Sequence, residues 1–564
     1  MGDIMDKKKK KVSAAENAKE LTDDVSLVSE KKSEVIEHSI VTIISVILLI
    51  VASFIKGNDN VARWLYTVSF VAAGYEILYS VIVKLSKKEV IIEEIAVVAG
   101  SLVLLYSGYG QYACLIIAYS LIALSKKSFE YIALNKSEKL SVAAGYETDD
   151  EIKKSFVVRA ENLKTIIDET PNSKIFEKKF RLIFGAVGII IGLLLTFVPP
   201  IFAKSAYVDA LKDKWLICGA IVASLWQLSS ICVFLSLNYI AGFISADRYA
   251  ATFGSFAAID KFAEAAEIAF DGSGVLTDKS LTINSVDSTN AGNTLSVLYS
   301  LENDIDEYIK SAISVYAKNN GITLNSILFE NVKHFETLGV TADFNGKRYA
   351  AGNKTLLKKV FGVSVEDDSD ESVIFVAEEG AVIGKVNYTR IDKINARGEI
   401  KELTDDAGMI ASLLSSDKVS VVNAMKDKLG LDNAVAGASP KYKAEYVKNS
   451  GAVYVGDSEY DANTIRLLDG ECVSVGGEKV YKNGLTVSGR DVRQIPVAVK
   501  IAKRTTKKKK FITLFTSIVK AAAIVTGVVL FAVKGNYMSI PILGCLATDV
   551  ISFFIAAMNL TDPA

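Results

Sequence analysis

The sequence predicts two architectures in one chain: an α-helical polytopic membrane domain of about eight helices, and a soluble α/β domain inserted after the sixth helix. Hydrophobic residues make up 50% of the 564 residues and the mean hydropathy is +0.29, which is high for a large soluble protein. The apolar residues cluster into runs that can cross a bilayer core of about 30 Å, which takes about 20 helical residues. Residues 247–510 are instead an uninterrupted mixture of polar and apolar sequence, long enough for one or two soluble domains.

The apolar runs define the order of the segments. The candidate membrane helices cover residues 36–56, 62–84, 89–107, 109–125, 182–203, 215–245, 511–533 and 537–559. The implied order is a charged N-terminal segment that is disordered or helical (1–35), four membrane helices (36–125), a short helical cytoplasmic connector (126–181), two membrane helices (182–246), the soluble insert and two final membrane helices (511–564).

Lysine clusters at alternate ends of the helices predict the orientation. They are Lys7–Lys11, Lys84 with Lys87 and Lys88, Lys126 with Lys127, and Lys507–Lys510. Because cytoplasmic loops carry the excess of Lys and Arg, we expect both termini and the large insert in the cytoplasm, with the chain in the cell membrane. The net charge of −1 creates no field that would favour nucleic acid as a partner.

The cysteine and histidine content excludes several site classes. The five cysteines are never closely paired in sequence and there are two histidines. Neither a zinc ribbon nor a disulfide framework fits this spacing, and histidine-based metal chemistry is nearly excluded.

The insert alternates strands and helices, and three strands end in polar residues. These are Ile268–Asp271, Gly408–Ser416 and Ala452–Gly456. The carboxyl ends of parallel strands share one edge of a sheet, where α/β folds place their sites. Residues 285–385 have helices and strands of their own and predict a second domain inserted into the first.

The polar residues at this edge have the types that phosphoryl transfer through an aspartate requires. Asp271 would be the nucleophile, Lys443 and either Ser415 or Ser416 would hold phosphoryl oxygens, and further carboxylates would hold Mg²⁺. The phosphate and Mg²⁺ candidates are Ser273, Gly274, Thr277, Asp457 and Asp461. Taken singly, an Asp-Gly or Ser-Ser pair is usually only a turn, and the order of these residues along the chain carries the hypothesis.

Several motifs resemble those of P-type ATPases. "FDGSGVLT" resembles their "DKTGTLT", "VGDSEYDANT" is similar to "VGDGxNDAPA", and "SPKYK" resembles the "P-x-x-K" of their haloacid-dehalogenase-like phosphorylation domain. "FVPPIF", "AATFG" and "ATDVISFFIAAMN" resemble the zinc/cadmium/lead branch of the heavy-metal pumps. The resemblance implies a phosphorylation domain at 247–284 and 386–510, an inserted α+β nucleotide-binding-like domain at 285–385, Mg²⁺ and ATP as cofactors, and a zinc-like divalent metal as cargo.

The cytoplasmic motifs depart from the family pattern. Gly272 stands where the family has a lysine after the aspartate, and Tyr460 stands where it has an asparagine. Glu307-Tyr308 occupies the place of a "HP" dipeptide, and Thr337-Leu338-Gly339 that of a "GxG". The residues that the resemblance implies for the nucleotide are Glu307, Gly339, Gly352 and Asn353.

The membrane part departs further. The family carries an all-β actuator domain with "TGE" between the fourth and fifth helices, whereas residues 126–181 are short and predict helix. Ile231-Cys232-Val233 stands at the "CPC" position of the sixth helix, so one thiol remains and the proline is gone. The implied residues for the transported ion are Cys232, Gln111, Lys520 and Asp549. The alternative for Cys232 is that it packs as a small apolar side chain, and the alternative for Lys520 and Asp549 is a structural ion pair.

Three functions remain open at this stage. The favoured one is a P-type-derived pseudo-pump with metal transport and ATP hydrolysis impaired or lost, serving in sensing, scaffolding or regulation with a partner membrane protein or second chain. The second is an active heavy-metal ATPase that receives an actuator in trans. The third is a membrane-tethered Mg²⁺-dependent phosphohydrolase, against which Ser273 counts, because soluble members of the superfamily usually have an acid there.

Overall fold

The computed structural model describes residues 2–55, 59–86, 92–169, 178–202, 212–301, 307–335, 338–367, 371–477, 479–488, 492–535 and 538–560. Lys87, Lys88 and Thr337 lie outside these ranges. The chain divides into two compact units, Met1–Arg248 with Ile501–Ala564, and Tyr249–Lys500.

The first unit is helical. Its described helices are α1 (Gly2–Phe54), α2 (Asp59–Ser86), α3 (Ile92–Tyr106), α4 (Cys114–Tyr146), α5 (Asp150–Glu169), α6 (Lys178–Phe202), α7 (Lys212–Leu225), α8 (Ser229–Asp247), α17 (Gln494–Lys534) and α18 (Ser539–Ala557). The first seven residues of α17 belong to the second unit, as do α9–α16. Within the described ranges, seven segments are long and apolar enough to cross a membrane. Of the predicted span 89–107 the structure describes α3 (Ile92–Tyr106), and residues 89–91 lie outside the described ranges.

The predicted span 215–245 is two helices rather than one. The backbone leaves the helical pattern at residues 226–228, where Gln227 N donates to Leu225 O and Leu228 N donates to the Glu93 carboxylate. A side chain from α3 therefore satisfies an amide that the interrupted helix leaves without a backbone partner. The interruption precedes Ile231-Cys232-Val233, the position at which the family motif was expected.

The described part of the 126–181 connector is helical. Helix α4 continues through the predicted end at residue 125 to Tyr146, and α5 follows from Asp150 to Glu169. Ser137 Oγ donates to Ala160 O at 2.8 Å and joins the two helices. Residues 126–169 and 178–181, which the structure describes, contain no strand.

The second unit contains a seven-stranded sheet in the order β1-β13-β12-β11-β2-β9-β10. Its strands are β1 (Ala251–Phe253), β2 (Glu267–Phe270), β9 (Ile410–Leu414), β10 (Asn433–Val435), β11 (Val453–Asp457), β12 (Val473–Val475) and β13 (Leu485–Val487). All neighbours are parallel except β1 and β13. The helices of this sheet are α9 (Phe256–Glu264), α13 (Ala396–Lys401), α14 (Val419–Leu429), α15 (Pro440–Ser450) and α16 (Ala462–Leu467).

A six-stranded antiparallel sheet is inserted into this α/β domain, in the order β3-β8-β7-β6-β5-β4. Its strands are β3 (Thr277–Asp287), β4 (Glu330–Phe335), β5 (Gly339–Phe344), β6 (Lys347–Gly352), β7 (Ser372–Glu378) and β8 (Ala381–Asp392), and its helices are α10 (Ala291–Leu301), α11 (Glu307–Asn319) and α12 (Lys354–Phe361). The sheet thus uses residues on both sides of the predicted 285–385. The predicted fold class, a helical membrane domain with an α/β domain and an α+β insertion, is confirmed.

Candidate active site

Asp271 lies at the end of a central strand. Strand β2 pairs with β11 on one side and β9 on the other, and Asp271 N donates to Val455 O at 2.9 Å. The Asp271 side chain is 7% exposed and accepts from Gly272 N at 2.9 Å. The structure therefore places the predicted nucleophile at the carboxyl edge of the sheet, inside the protein.

Lys443 is directed to this carboxylate by the start of α15. Ser439 caps the helix by accepting from Tyr442 N, and Pro440 occupies the first turn, where its missing N–H costs nothing. Lys443 Nζ lies 2.9 Å from Asp271 Oδ1 and 3.5 Å from Asp461 Oδ1. One buried ammonium thus bridges two carboxylates.

Asp461 is held from both sides. Its Oδ1 accepts from Thr464 Oγ1 at 2.6 Å, and its Oδ2 accepts from the Tyr454 hydroxyl. Burial raises the pKa of Tyr454, so this hydroxyl stays a donor. In this structure Asp461 positions Lys443, while its role as an Mg²⁺ ligand stays a prediction.

Asp457 ends β11 and its side chain is ordered by the following turn. Oδ1 accepts from Glu459 N at 2.9 Å and from Tyr460 N at 3.1 Å. Gly274 packs against it with a φ of +75°, and a Cβ at Gly274 would lie 2.9 Å from Asp457 Oδ2. Both the backbone conformation and the close approach require glycine.

Two acids of the site have raised pKa values, and burial is the main cause. Burial raises the pKa of Asp271 to about 6, with Lys443 opposing the rise and Asp461 adding to it. Burial likewise raises the pKa of Asp457 to about 6. Burial acts to lower the pKa of Lys443, but its two carboxylate partners outweigh this, so the net direction is upward. Lys443 therefore stays charged while the two acids titrate close to neutrality.

The remaining predicted residues of this edge lie around the turn 272–276. Ser415 follows β9, exchanges hydrogen bonds with Asp417, and places its Oγ 3.6 Å from where a Gly272 Cβ would be. Thr277 Oγ1 donates to Gly272 O at 3.2 Å and closes the turn. Ser273 is half-buried in an extended conformation within it. The structure brings all of the predicted catalytic and phosphate residues to one sheet edge.

The donor set suits Mg²⁺ rather than a softer metal. Among the described residues, no group of three or more His, Cys, Asp or Glu side chains could hold a metal ion. Mg²⁺ is usually held by one or two carboxylates together with water and substrate oxygens. Asp271 and Asp457 are of this type and would hold it, and the ion would there neutralise charge on a bound phosphoryl group.

The residues implied for a nucleotide have structural roles. Gly339 and Gly352 face each other across β5 and β6, and a Cβ on Gly339 would lie 2.1 Å from Ala351 O. Asn353 caps α12 by accepting from the N–H groups of Thr355 and Leu356.

Glu307 starts α11, a separate element, and is exposed. Gly339 and Gly352 thus lie at a close approach of two backbones and Asn353 at a helix cap, and the role of all four residues towards a nucleotide stays a prediction.

The residues implied for the transported ion separate into different surroundings. Lys520 Nζ lies 2.6 Å from Asp549 Oδ1 and donates to Ser230 Oγ at 2.7 Å. Cys232 is buried in the first turn of α8. Gln111 is exposed in the short turn before α4, so it is not part of the buried group.

Some residues of these sites were not predicted from the sequence. Tyr454 and Lys393 in the second unit, and Glu93 and Ser230 in the first, contact predicted site residues or the helix interruption. Tyr454 had no local signal, because it lies three residues before Asp457 on β11 and alternation puts the two side chains on opposite faces. Glu93 did have one, since an acid inside an apolar run needs a partner.

Comparisons with known proteins place the chain near metal-transporting ATPases. No protein-family model matches it. It is 21% identical to a probable cadmium-transporting ATPase of Alkalihalophilus pseudofirmus over 60% of this chain and 49% of that protein. It is also 21% identical to a cadmium, zinc and cobalt-transporting ATPase of Helicobacter pylori, over 64% of this chain and 53% of that protein. The chain thus spans about half the length of these relatives.

Solved structures show the same fold. A crystal structure of a zinc-transporting PIB-type ATPase aligns with a TM-score of 0.57 at 14% identity, covering 93% of this chain and 100% of the other. A second crystal structure of a zinc-transporting PIB-type ATPase, in a different state, aligns with a TM-score of 0.53 at 14% identity, covering 92% of this chain and 99% of the other.

Proposed function

We propose, from the premise that this chain is a homologue of the heavy-metal-transporting P-type ATPases, that it is a pseudo-pump. In this proposal it keeps their membrane scaffold and phosphoryl-type aspartate site, whereas ATP-driven metal transport is impaired or lost. It would then act in sensing, scaffolding or regulation, alone or with a partner membrane protein.

The observation that carries the proposal is how the connector is fixed to α8. Asp247, the last residue of α8, has a side chain that is 4% exposed. It accepts from Arg159 Nε of α5 at 2.8 Å and lies 2.6 Å from Lys136 Nζ of α4. Arg159 also donates to Asp247 O at 2.7 Å, and Lys136 to Ile244 O at 3.0 Å.

This arrangement opposes movement between the connector and α8. An acid at a helix C-terminus is unfavourable beside the helix dipole, so Asp247 depends on its two cations. Breaking a buried ion pair by removing one partner typically costs about 3–5 kcal/mol. A connector held in this way is a poor candidate for a domain that must swing during a transport cycle.

The transported-ion residues support the same proposal. Soft metals prefer thiolate ligands, and Cys232 is the one cysteine among the implied residues. Asp549 is already neutralised by Lys520. A divalent cation entering there would have to displace an ammonium.

The lysine clusters support an orientation with the second unit and both termini in the cytoplasm of a cell membrane. The clusters stand at alternate ends of the predicted membrane helices, and cytoplasmic loops carry the excess of Lys and Arg; they are Lys84, Lys126 with Lys127, and Lys507–Lys510. In this orientation Asp271 would meet cytoplasmic Mg²⁺ and phosphate compounds.

A second candidate, an active phosphoryl-transfer enzyme, is favoured by one observation: Asp271, Lys443 and Asp457 remain assembled. Purified chain incubated with γ-labelled ATP and Mg²⁺, then quenched in acid, separates the two. The proposal expects no label above that of Asp271→Asn. An acid-stable, hydroxylamine-sensitive label that disappears in Asp271→Asn would contradict it and select the second candidate.

A further inference from the structure

We infer that Lys393 supplies the second positive charge of the Asp271 site and makes it a binding site for a phosphate-type dianion. This rests on the proposed function in one respect, that the site keeps a phosphate-type ligand. Lys393 does not belong to any of the sequence motifs that predicted the site at the sheet edge.

The charges of the cluster give the first reason to expect a second cation near Asp271. Lys443 contacts both Asp271 and Asp461, and a third acid, Asp457, lies near enough to Asp461 for that charge to raise its pKa. A phosphoryl group adds a charge of about −1.5 to −2. Gly272, the residue after the nucleophile, has no side chain to offer. Beside Mg²⁺ and Lys443, a dianion would therefore be bound more tightly with another cation from elsewhere in the fold.

Lys393 is held at the right place by two contacts. It follows the last residue of β8, and its backbone N donates to Leu276 O at 2.9 Å. Its Nζ donates to Gly274 O at 2.8 Å. Both ends of the residue are thus fixed to the turn 272–276, which directly follows Asp271.

The ammonium is electrostatically part of the site. Gly274 packs directly on the Asp457 side chain, so a cation on the Gly274 carbonyl lies beside that acid. The attraction of Lys393 opposes the burial that raises the pKa of Asp457. The neighbouring Asp392 is paired with Lys428 at 2.5 Å, and so it has a cation of its own.

Position 272 allows an experiment in which the positive charge of Lys393 is removed and a new one is introduced beside Asp271. A Cβ there would meet Ser415 Oγ at 3.6 Å and Met425 Sδ at 3.7 Å, which are ordinary contacts. A side chain at position 272 can therefore start without a clash at its Cβ, directly beside Asp271.

The test measures binding of beryllium fluoride, an uncleavable phosphoryl analogue, to the detergent-solubilised full chain with Mg²⁺ by calorimetry. K393Q should weaken binding about tenfold, the value of one lost charge-assisted contact. K393R should retain most of the affinity, and the double variant G272K/K393Q should regain most of it. K401Q removes an exposed lysine of α13 and should leave the affinity unchanged.

Unchanged affinity in K393Q, no binding by the wild type, or no recovery in the double variant would overturn the inference. Protection of Cys472 from a thiol reagent reports whether each variant is folded. If K393Q loses this protection, K393M, which keeps the apolar stem, replaces it in the same comparison. Metal transport by the wild type would overturn the proposed function and leave this comparison standing, so the two can fail separately.

Discussion

Replacing Lys443 by methionine should destabilise the second unit in a strongly pH-dependent way. Lys443 is 4% exposed and lies between Asp271, 7% exposed, and Asp461, 3% exposed. Methionine keeps the apolar stem but leaves two buried carboxylates without their cation. Removing one partner of a buried ion pair costs about 3–5 kcal/mol.

The pH dependence follows from the pKa of Asp271. It is already raised to about 6, and loss of Lys443 removes the attraction that opposes this rise. A carboxyl whose pKa is higher in the folded than in the unfolded chain lowers the free energy of unfolding. This loss is complete above the folded-state pKa and disappears as the pH falls towards the unfolded-state pKa. Each unit between the wild-type and variant pKa is worth about 1.4 kcal/mol. The loss should thus be large at pH 8 and clearly smaller at pH 5.5.

Cys472 provides the assay. It is the one cysteine between residues 249 and 500, it is buried, and it packs in a cluster with Ala269 and Tyr454. Its rate of thiol labelling in increasing urea, read by mass spectrometry of its peptide, gives the free energy of unfolding of this unit.

The control is the double variant Asp271→Asn with Lys443→Met, which should recover part of the loss at pH 8. An equal destabilisation of Lys443→Met at pH 5.5 and pH 8 would refute the account of this cluster.

Three further predictions concern other parts of the chain. Asp247→Asn should lower the stability of the connector by about 3 kcal/mol and speed hydrogen exchange of residues 150–169, because both cations lose their partner; unchanged exchange would contradict the fixed connector. Gly274→Ala should weaken Mg²⁺ binding about tenfold by calorimetry, since its φ is +75° and its Cβ would meet Asp457 at 2.9 Å; wild-type affinity would argue against Asp457 as a ligand. Mg²⁺ affinity of the wild type should fall as the pH is lowered through about 6, where Asp271 and Asp457 become protonated; a flat profile from pH 7.5 to 5 would exclude both acids.

Much of the fold follows from local patterns in the sequence. Long apolar runs predict membrane helices, and strands that end in polar residues predict a parallel sheet with its site at the carboxyl edge. Asp271, Ser415 and Asp457 meet because their strands are neighbours in that sheet. Lys443 joins them from a helix whose start is marked by Ser439 and Pro440.

The remainder depends on contacts between distant segments, which local patterns do not contain. Neither glycine nor proline marks the interruption at 226–228, and Glu93 stabilises it from another helix. The sequence suggests Asp461 as an Mg²⁺ ligand but does not reveal its hydrogen bonds from Tyr454 and Thr464. It likewise does not reveal that Gly339 lies where two strands approach closely.

Zinc flux into sealed vesicles tests the central claim most directly. The purified chain would be reconstituted with ATP and Mg²⁺ outside, and Zn²⁺ uptake followed with an internal fluorescent indicator. We expect uptake no faster than that of Asp271→Asn or of protein-free vesicles. ATP-dependent Zn²⁺ accumulation that Asp271→Asn abolishes, with no second protein added, would contradict the claim that this scaffold has lost coupled transport.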